Sequence, residues 1–139
     1  RVTYQLMQYW QDLSKNPTGK KSDDDFAAMM DKTSKLVFSH TLKRLDWPSA
    51  TLASKSLKEE VMDLRQQTGK DILIGSPSLI VALTQLGLVN EYQLCVHPII
   101  AGTGLPLFKN IPNQINLKLL KTKTFGSGAI VHYYKPIEK

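Results

Sequence analysis

The stretch that most constrains this chain runs Asp71-Ile72-Leu73-Ile74-Gly75-Ser76-Pro77-Ser78-Leu79-Ile80-Val81-Ala82-Leu83. Apolar, strand-like residues lead into a Gly-Ser-Pro-Ser turn, and a helical pattern follows at once. Leu79, Ala82, Leu83 and Leu86 recur at the spacing of one helix face, and Gly87 stands where a C-cap glycine belongs. Ser76 or Ser78 can cap the helix, and Pro77 suits its first turn because a missing N–H costs nothing there. A buried strand ending in glycine at a helix N-terminus is a place for an anion. Backbone N–H groups point outward, and the helix dipole adds partial positive charge. Two readings stay open on these residues alone: a phosphate or pyrophosphate cradle, and an ordinary strand–turn–helix connection.

The rest of the chain bounds the context: 139 residues in all, 42% of them hydrophobic, predict a single domain over 1–139 with a proper core. No run approaches the apolar length of a membrane span, so no membrane partner is expected. The single cysteine, Cys95, excludes an internal disulfide framework and fits a reducing, cytoplasmic compartment. It falls in a strand-like run and is expected to be buried and inert. Net charge is +6, from 18 basic and 12 acidic residues, which suits an acidic ligand. The lysines are scattered and no basic stripe interleaves with aromatics, so nucleic acid is not an expected partner. The first residue is Arg and no signal-peptide pattern follows, so the chain is expected to begin partway through a larger whole.

Along the chain, residues 1–13 read as a helix. Tyr4 and Met7 share one side, while Leu6, Tyr9, Trp10 and Leu13 form a broad apolar face. Ser22-Asp23-Asp24-Asp25 reads as the start of a second helix whose buried stripe is Phe26, Met29 and Met30. The aspartates are assigned to the dipole's positive end rather than to a metal, because no His or second carboxylate cluster accompanies them. Lys35 to Ser39 is a short strand, and its polar end, Ser39-His40-Thr41, is either a binding element or a simple loop. A second short strand falls at Ala50 to Ala53. Ser56-Leu57-Lys58-Glu59 is a capping box opening a helix with Leu57, Val61 and Leu64 on one face, closed by Gly69. The alternation of strands and helices argues for parallel pairing.

After Gly87 the character changes. Glu91 to His97, Ile115 to Lys123 and Ala129 to Tyr134 read as strands, the last two joined by Phe125-Gly126-Ser127-Gly128 as a hairpin. The expected class is α/β, a mixed central β-sheet flanked by helices.

Four segments in this order resemble the dihydrofolate-reductase-like family of the riboflavin-biosynthesis reductase (RibD C-terminal domain) type. Arg1-Val2-Thr3-Tyr4 resembles the family's Gly-Arg-x-Thr-Tyr/Trp helix start. Val37-Phe38-Ser39-His40-Thr41-Leu42 resembles its Val-x-Ser-Arg-Thr-Leu strand end. Ile72-Leu73-Ile74-Gly75-Ser76 resembles its cofactor turn, and Pro98 to Phe108 resembles its Pro-x-x-x-Gly-x-Gly-x-x-Leu-Phe loop.

The resemblance implies a reductase taking hydride from NADPH, with a pteridine-like or ribosylaminopyrimidine substrate. It implies that Gly75, Ser76, Pro77, Ser78 and Leu79 hold the pyrophosphate, with Arg1 and Thr3 flanking the cofactor phosphates. Ser39, His40 and Thr41 would stand near the adenosine end, and Gly104 and Phe108 near the substrate. Where the family often has Arg, this chain has His40, which lacks the guanidinium's permanent charge, so the choice between NADPH and NADH stays open. The family's opening strand, nicotinamide-covering loop and following segment, about 45 residues, precede the position where this chain starts. The domain is therefore expected to be N-terminally truncated, with no residue nominated as proton donor. The alternatives are a nucleotide-binding module of the same fold that has lost catalysis, and a dimeric interaction protein. Relatives of this fold are commonly homodimers, and a homodimer built partly from residues 91 to 134 is expected.

Overall fold

The computed structural model describes residues 2–137. Their elements are α1 (Val2–Lys15), α2 (Lys21–Lys32), β1 (Lys35–Val37), β2 (Ala50–Leu52), α3 (Leu57–Gln66), α4 (Pro77–Gln85), β3 (Tyr92–Val96), β4 (Leu117–Thr124) and β5 (Ile130–Pro136). They group into two compact units, Arg1–Asp71 and Ile72–Lys139. No helix among the described residues is long and apolar enough to cross a membrane.

In the first unit, the turn between α1 and α2 is built around one carboxylate. Asp24 accepts the N–H groups of Thr18 and Gly19, both at 2.9 Å, and the Thr18 hydroxyl at 3.1 Å. Lys20, not Ser22, is the N-cap of α2. Asp23 pairs with Lys20 and Asp25 with Lys21, so all three aspartates serve the helix start. These contacts fix the entry earlier than the Ser22 pattern predicts.

The buried line of α1 differs from the expected face. Tyr4, Gln11 and Leu13 are buried, whereas Leu6 and Tyr9 are 71% and 59% exposed. The reason is polar: Gln11 donates to the Asp46 carbonyl at 3.1 Å, and the Tyr4 hydroxyl accepts the Asp46 N–H at 3.2 Å. These bonds turn Tyr4 and Gln11 inward, which a count of apolar residues cannot register. On α2 the buried residue is Ala27, while Phe26 and Met29 are exposed; Phe26 meets the Trp10 ring edge-on at 4.6 Å. Trp47, 1% exposed, is the largest fully buried side chain of this unit.

β1 and β2 pair in parallel, with Lys35 opposite Ala50 and Val37 opposite Leu52. The parallel pairing expected from the strand–helix–strand order, across α3 to the run at 71–74, has no ladder among the described residues. α3 opens with the expected capping box: the Ser56 hydroxyl accepts the Glu59 N–H, and the Glu59 carboxylate accepts the Ser56 N–H. The helix ends at Gln66 with Gln67 as C-cap, ahead of the expected stop at Gly69.

The second unit opens with a correction. Ile72, Leu73 and Ile74 belong to no ladder, and Leu73 is 87% exposed. An apolar run becomes a strand only where a neighbour completes its hydrogen bonds, and among the described residues none does. α4 ends in a Schellman motif: Gly87 takes φ +66°, and the Leu88 N–H bonds the Leu83 carbonyl at 2.9 Å.

β3, β5 and β4 form an antiparallel sheet in that order. The β4–β5 turn is closed by the Phe125 N–H to the Ala129 carbonyl at 2.9 Å, with Gly128 at φ +82°. One irregularity sets the sheet's faces. Leu119 stands opposite Tyr134 but Lys121 stands opposite Tyr133, so Leu120 is an extra residue, a β-bulge. The bulge shifts the alternation of β4. Lys118 then shares a face with Lys121 and Lys123, and Lys118 lies opposite Lys135 on β5. Parallel and antiparallel pairing are thus both present in this α/β fold, distributed over two small sheets.

Candidate functional site

The Gly75 turn has the form an anion cradle needs. Ser76, in extended conformation, is the N-cap of α4, and Pro77 stands at its first position. The Ser76 carbonyl accepts the Ile80 N–H at 2.9 Å, which starts the helical ladder. The N–H groups of Ser78 and Leu79 fall in the first turn, where the α-helix itself offers no acceptor. The hydroxyls of Ser76 and Ser78 are 3.2 Å apart, so two hydroxyls and two amides gather at one helix end. A Cβ placed on Gly75 would meet nothing within 4 Å, and its backbone is not in the left-handed region. The space in front of this glycine is open, and Ser76 in place of a second glycine is accommodated without strain.

Within the first unit, Ser39 organises its own loop. Its hydroxyl accepts the N–H groups of Thr41 at 3.2 Å and Leu42 at 3.1 Å, and lies 3.4 Å from the Thr41 hydroxyl. This is a serine turn at the end of β1, and it leaves the His40 imidazole exposed. Thr3 lies in the first turn of α1 and is half-buried. Arg1 lies outside the described residues.

Gly104 and Phe108 sit in the loop between β3 and β4. Gly104 is exposed, and a methyl group added at its Cα would meet nothing within 4 Å. Phe108 turns back to the sheet and meets the Tyr92 ring edge-on, centroids 5.8 Å apart. There it lines a half-enclosed pocket of about 190 Å³ with Thr84, Tyr92, Ile111, Ile115 and Leu117. The loop is anchored by the Gln85 side-chain amide, which donates to the Asn110 carbonyl at 2.8 Å. Sequence reasoning missed Thr84, Tyr92, Ile111 and Ile115. Their one visible signal was the apolar character of a segment that also carries turn residues.

Cys95, expected to be buried, is exposed, with its sulfur 3.6 Å from His97 Nε2. Cys95 lies opposite Val131 on the face of β3 that also carries Gln93, and this face is solvated. His132 stacks on Tyr134 with centroids 5.9 Å apart.

The fold is that of a dihydrofolate-reductase-like α/β protein. It resembles the crystal structure of a putative riboflavin biosynthesis protein from Shewanella sp. PV-4, with TM-score 0.68 and 18% identity, over 82% of this chain and 69% of that one. It also resembles a pyrimidine reductase-like protein from Corynebacterium diphtheriae, with TM-score 0.52 and 23% identity, over 88% and 48% of the two chains. The chain belongs to the RibD C-terminal domain family, whose model matches residues 13–131. Among curated relatives, the uncharacterized protein YyaP of Bacillus subtilis (strain 168) is 43% identical over 101 residues, 72% of this chain and 53% of that protein. The uncharacterized protein YwjB of the same organism is 33% identical over 73 residues, 52% of this chain and 42% of that protein. The chain spans about half the length of the curated relatives it matches.

Proposed function

We propose that this chain is the nucleotide-binding part of an NADPH-dependent reductase acting on a pteridine-like or ribosylaminopyrimidine substrate. Family membership supports a reductase-type function in general. The observation that carries the cofactor reading is the Gly75–Leu79 turn, where open space in front of a glycine meets the first turn of a helix. On this reading the Ser78 and Leu79 amides and the Ser76 and Ser78 hydroxyls bind pyrophosphate oxygens, and Gly75 lets the anion approach the backbone. Ser39, His40 and Thr41 serve the adenosine end, with Thr3 and Arg1 at the phosphates. The dinucleotide supplies hydride when bound; the residues named here bind and orient it. A homodimer and a cytoplasmic setting belong to the same proposal.

The test is a thermal shift with NADPH. Binding raises the melting temperature as ligand concentration passes Kd. Gly75→Val should remove the NADPH shift, and Gly75→Ala, whose added Cβ meets nothing within 4 Å, should leave the ligand-free melting temperature unchanged. No shift at millimolar NADPH in the unsubstituted protein sinks the reading. A shift without NADPH oxidation in the presence of candidate substrates favours the binding module that has lost catalysis.

A further inference from the structure

The pocket beneath Phe108, a residue that the family resemblance sets near the substrate, is a small apolar space that the cofactor reading leaves unused. Its volume, about 190 Å³, lies below the range that takes drug-sized molecules. It is somewhat larger than an apolar cavity of about 150 Å³ that stays dry and takes benzene. A single six-membered ring with one small substituent fits that space. The walls are Ile111, Ile115 and Leu117, with the Phe108 and Tyr92 rings set edge to face.

The polar groups at one wall narrow the ligand further. The Thr84 and Tyr92 hydroxyls lie 2.9 Å apart, and the two residues are 6% and 7% exposed. Two hydroxyls carry two protons, and one proton serves the bond between them. The other has no second acceptor among the described residues. Each oxygen is already partnered by the other, and a ligand acceptor adds a second bond at the remaining proton.

We propose that this pocket binds an aromatic ring bearing one hydrogen-bond acceptor, such as a ring carbonyl or an acyl oxygen. Apolar walls hold the ring, and the Thr84–Tyr92 pair donates its remaining proton to the acceptor. The proposal needs neither NADPH nor turnover. Its one residue on α4, Thr84, lies at the C-terminal end, the opposite end from Pro77, so its failure and that of the cofactor reading are separable.

The experiment titrates the protein with acetophenone and with α-methylstyrene, which has the same shape with CH2 in place of the carbonyl oxygen. The readout is the NMR resonances of Tyr92, Phe108 and the Ile111 and Ile115 methyl groups. Both probes should shift these resonances saturably. In the double variant Thr84→Val/Tyr92→Phe, the affinity ratio favouring acetophenone should fall about five- to tenfold, the equivalent of one hydrogen bond. Removing both partners together leaves no orphaned group, so the variant should fold. Ile115→Trp, which fills the pocket, should abolish both shifts while the NADPH thermal shift persists. Three results would overturn the proposal: no saturable shift with either probe, an unchanged ratio in the double variant, or undiminished binding in Ile115→Trp.

Discussion

The Trp47 indole nitrogen lies 2.7 Å from the Asp31 carboxylate and donates its N–H to it. The Asp31 carbonyl accepts the Ser49 hydroxyl at 2.6 Å, and the Lys35 ammonium sits 3.9 Å above the Trp47 ring. The last turn of α2, the start of β1 and the turn before β2 are therefore tied at one buried indole. Partial burial holds the Lys35 pKa below its usual value, with the Asp31 charge acting in the opposite direction. Asp31→Ala should destabilise the protein by about 1–3 kcal/mol, because the indole N–H is left without its acceptor. Asp31→Asn, which keeps an oxygen in place, should cost less. Urea unfolding of the two variants against the unsubstituted protein measures the difference, and equal losses would show that the hydrogen bond is not what matters.

The start of α3 predicts an acid-labile element. The Ser56 hydroxyl and backbone hold the Glu59 pKa below its usual value, and the Lys55 and Ser54 backbone amides do the same for Glu60. A carboxylate depressed in the folded state contributes stability that is complete above its unfolded pKa. That stability is lost as pH falls through the lower folded value. The melting temperature should therefore decline below about pH 4.5, with the loss reduced in Glu59→Gln. Ser56→Ala should cost about 1 kcal/mol at neutral pH by removing the cap. Thermal melts from neutral pH downward check both, and an identical acid profile for Glu59→Gln would assign the loss elsewhere.

His40 offers a direct reading of cofactor choice. The Ser39 turn presents its side chain to solvent, so His40→Arg should not disturb the fold. A guanidinium grips phosphate with two hydrogen bonds, and the substitution should tighten NADPH relative to NADH by about tenfold. Calorimetric titration with both cofactors measures this. An unchanged ratio would place the 2′-phosphate away from this loop.

Assembly is expected to use the uncharged edge of the sheet in the second unit. β4 carries Lys118, Lys121, Lys123 and a bulge, devices that oppose edge-to-edge pairing. β3, the other edge, has no charged residue, and its last residue, Val96, is 54% exposed. We expect a homodimer by light scattering at micromolar concentration, and Val96→Lys should convert it to monomer. A monomer mass for the unsubstituted protein would refute the expectation, and a dimer indifferent to Val96→Lys would move the interface elsewhere.

Local chemistry was legible in the sequence wherever neighbouring residues satisfy one another. The Ser56–Glu59 box, the Gly87 cap and the Phe125–Gly128 turn each act within a few residues, and the structure has all three. Parallel pairing of Lys35–Val37 with Ala50–Leu52 was not foreseen, because no helix between the two strands marks a crossover. The failures depend on partners distant in sequence. Leu6 and Tyr9 looked like core because Gln11 gave no sign of its bond to Asp46, 35 residues away. Ile72 to Ile74 looked like a strand because an apolar run does not state whether a neighbour exists. At the candidate site, the Gly75–Leu79 turn was visible as a pattern. The Thr84–Tyr92 pair was not, since it forms only once the end of α4 meets the start of β3.

The extra residue at Leu120 has a bearing on how this hairpin can change length over evolutionary time. Beyond it, Lys121 to Thr124 keep their partners on β5, and before it Leu117 to Leu119 keep theirs. Deleting Leu120 would close the ladder without altering a single one of those pairings or the turn at the tip. Leu119 is also leucine, so its deletion leaves the same chain, whereas deletion of Lys121 would set a leucine opposite Tyr133 in place of the lysine. Homologous hairpins should therefore tolerate a gap at the Leu119–Leu120 pair and resist one at Lys121. Leu120 acts as a counting residue that lets three lysines of mixed parity share one surface.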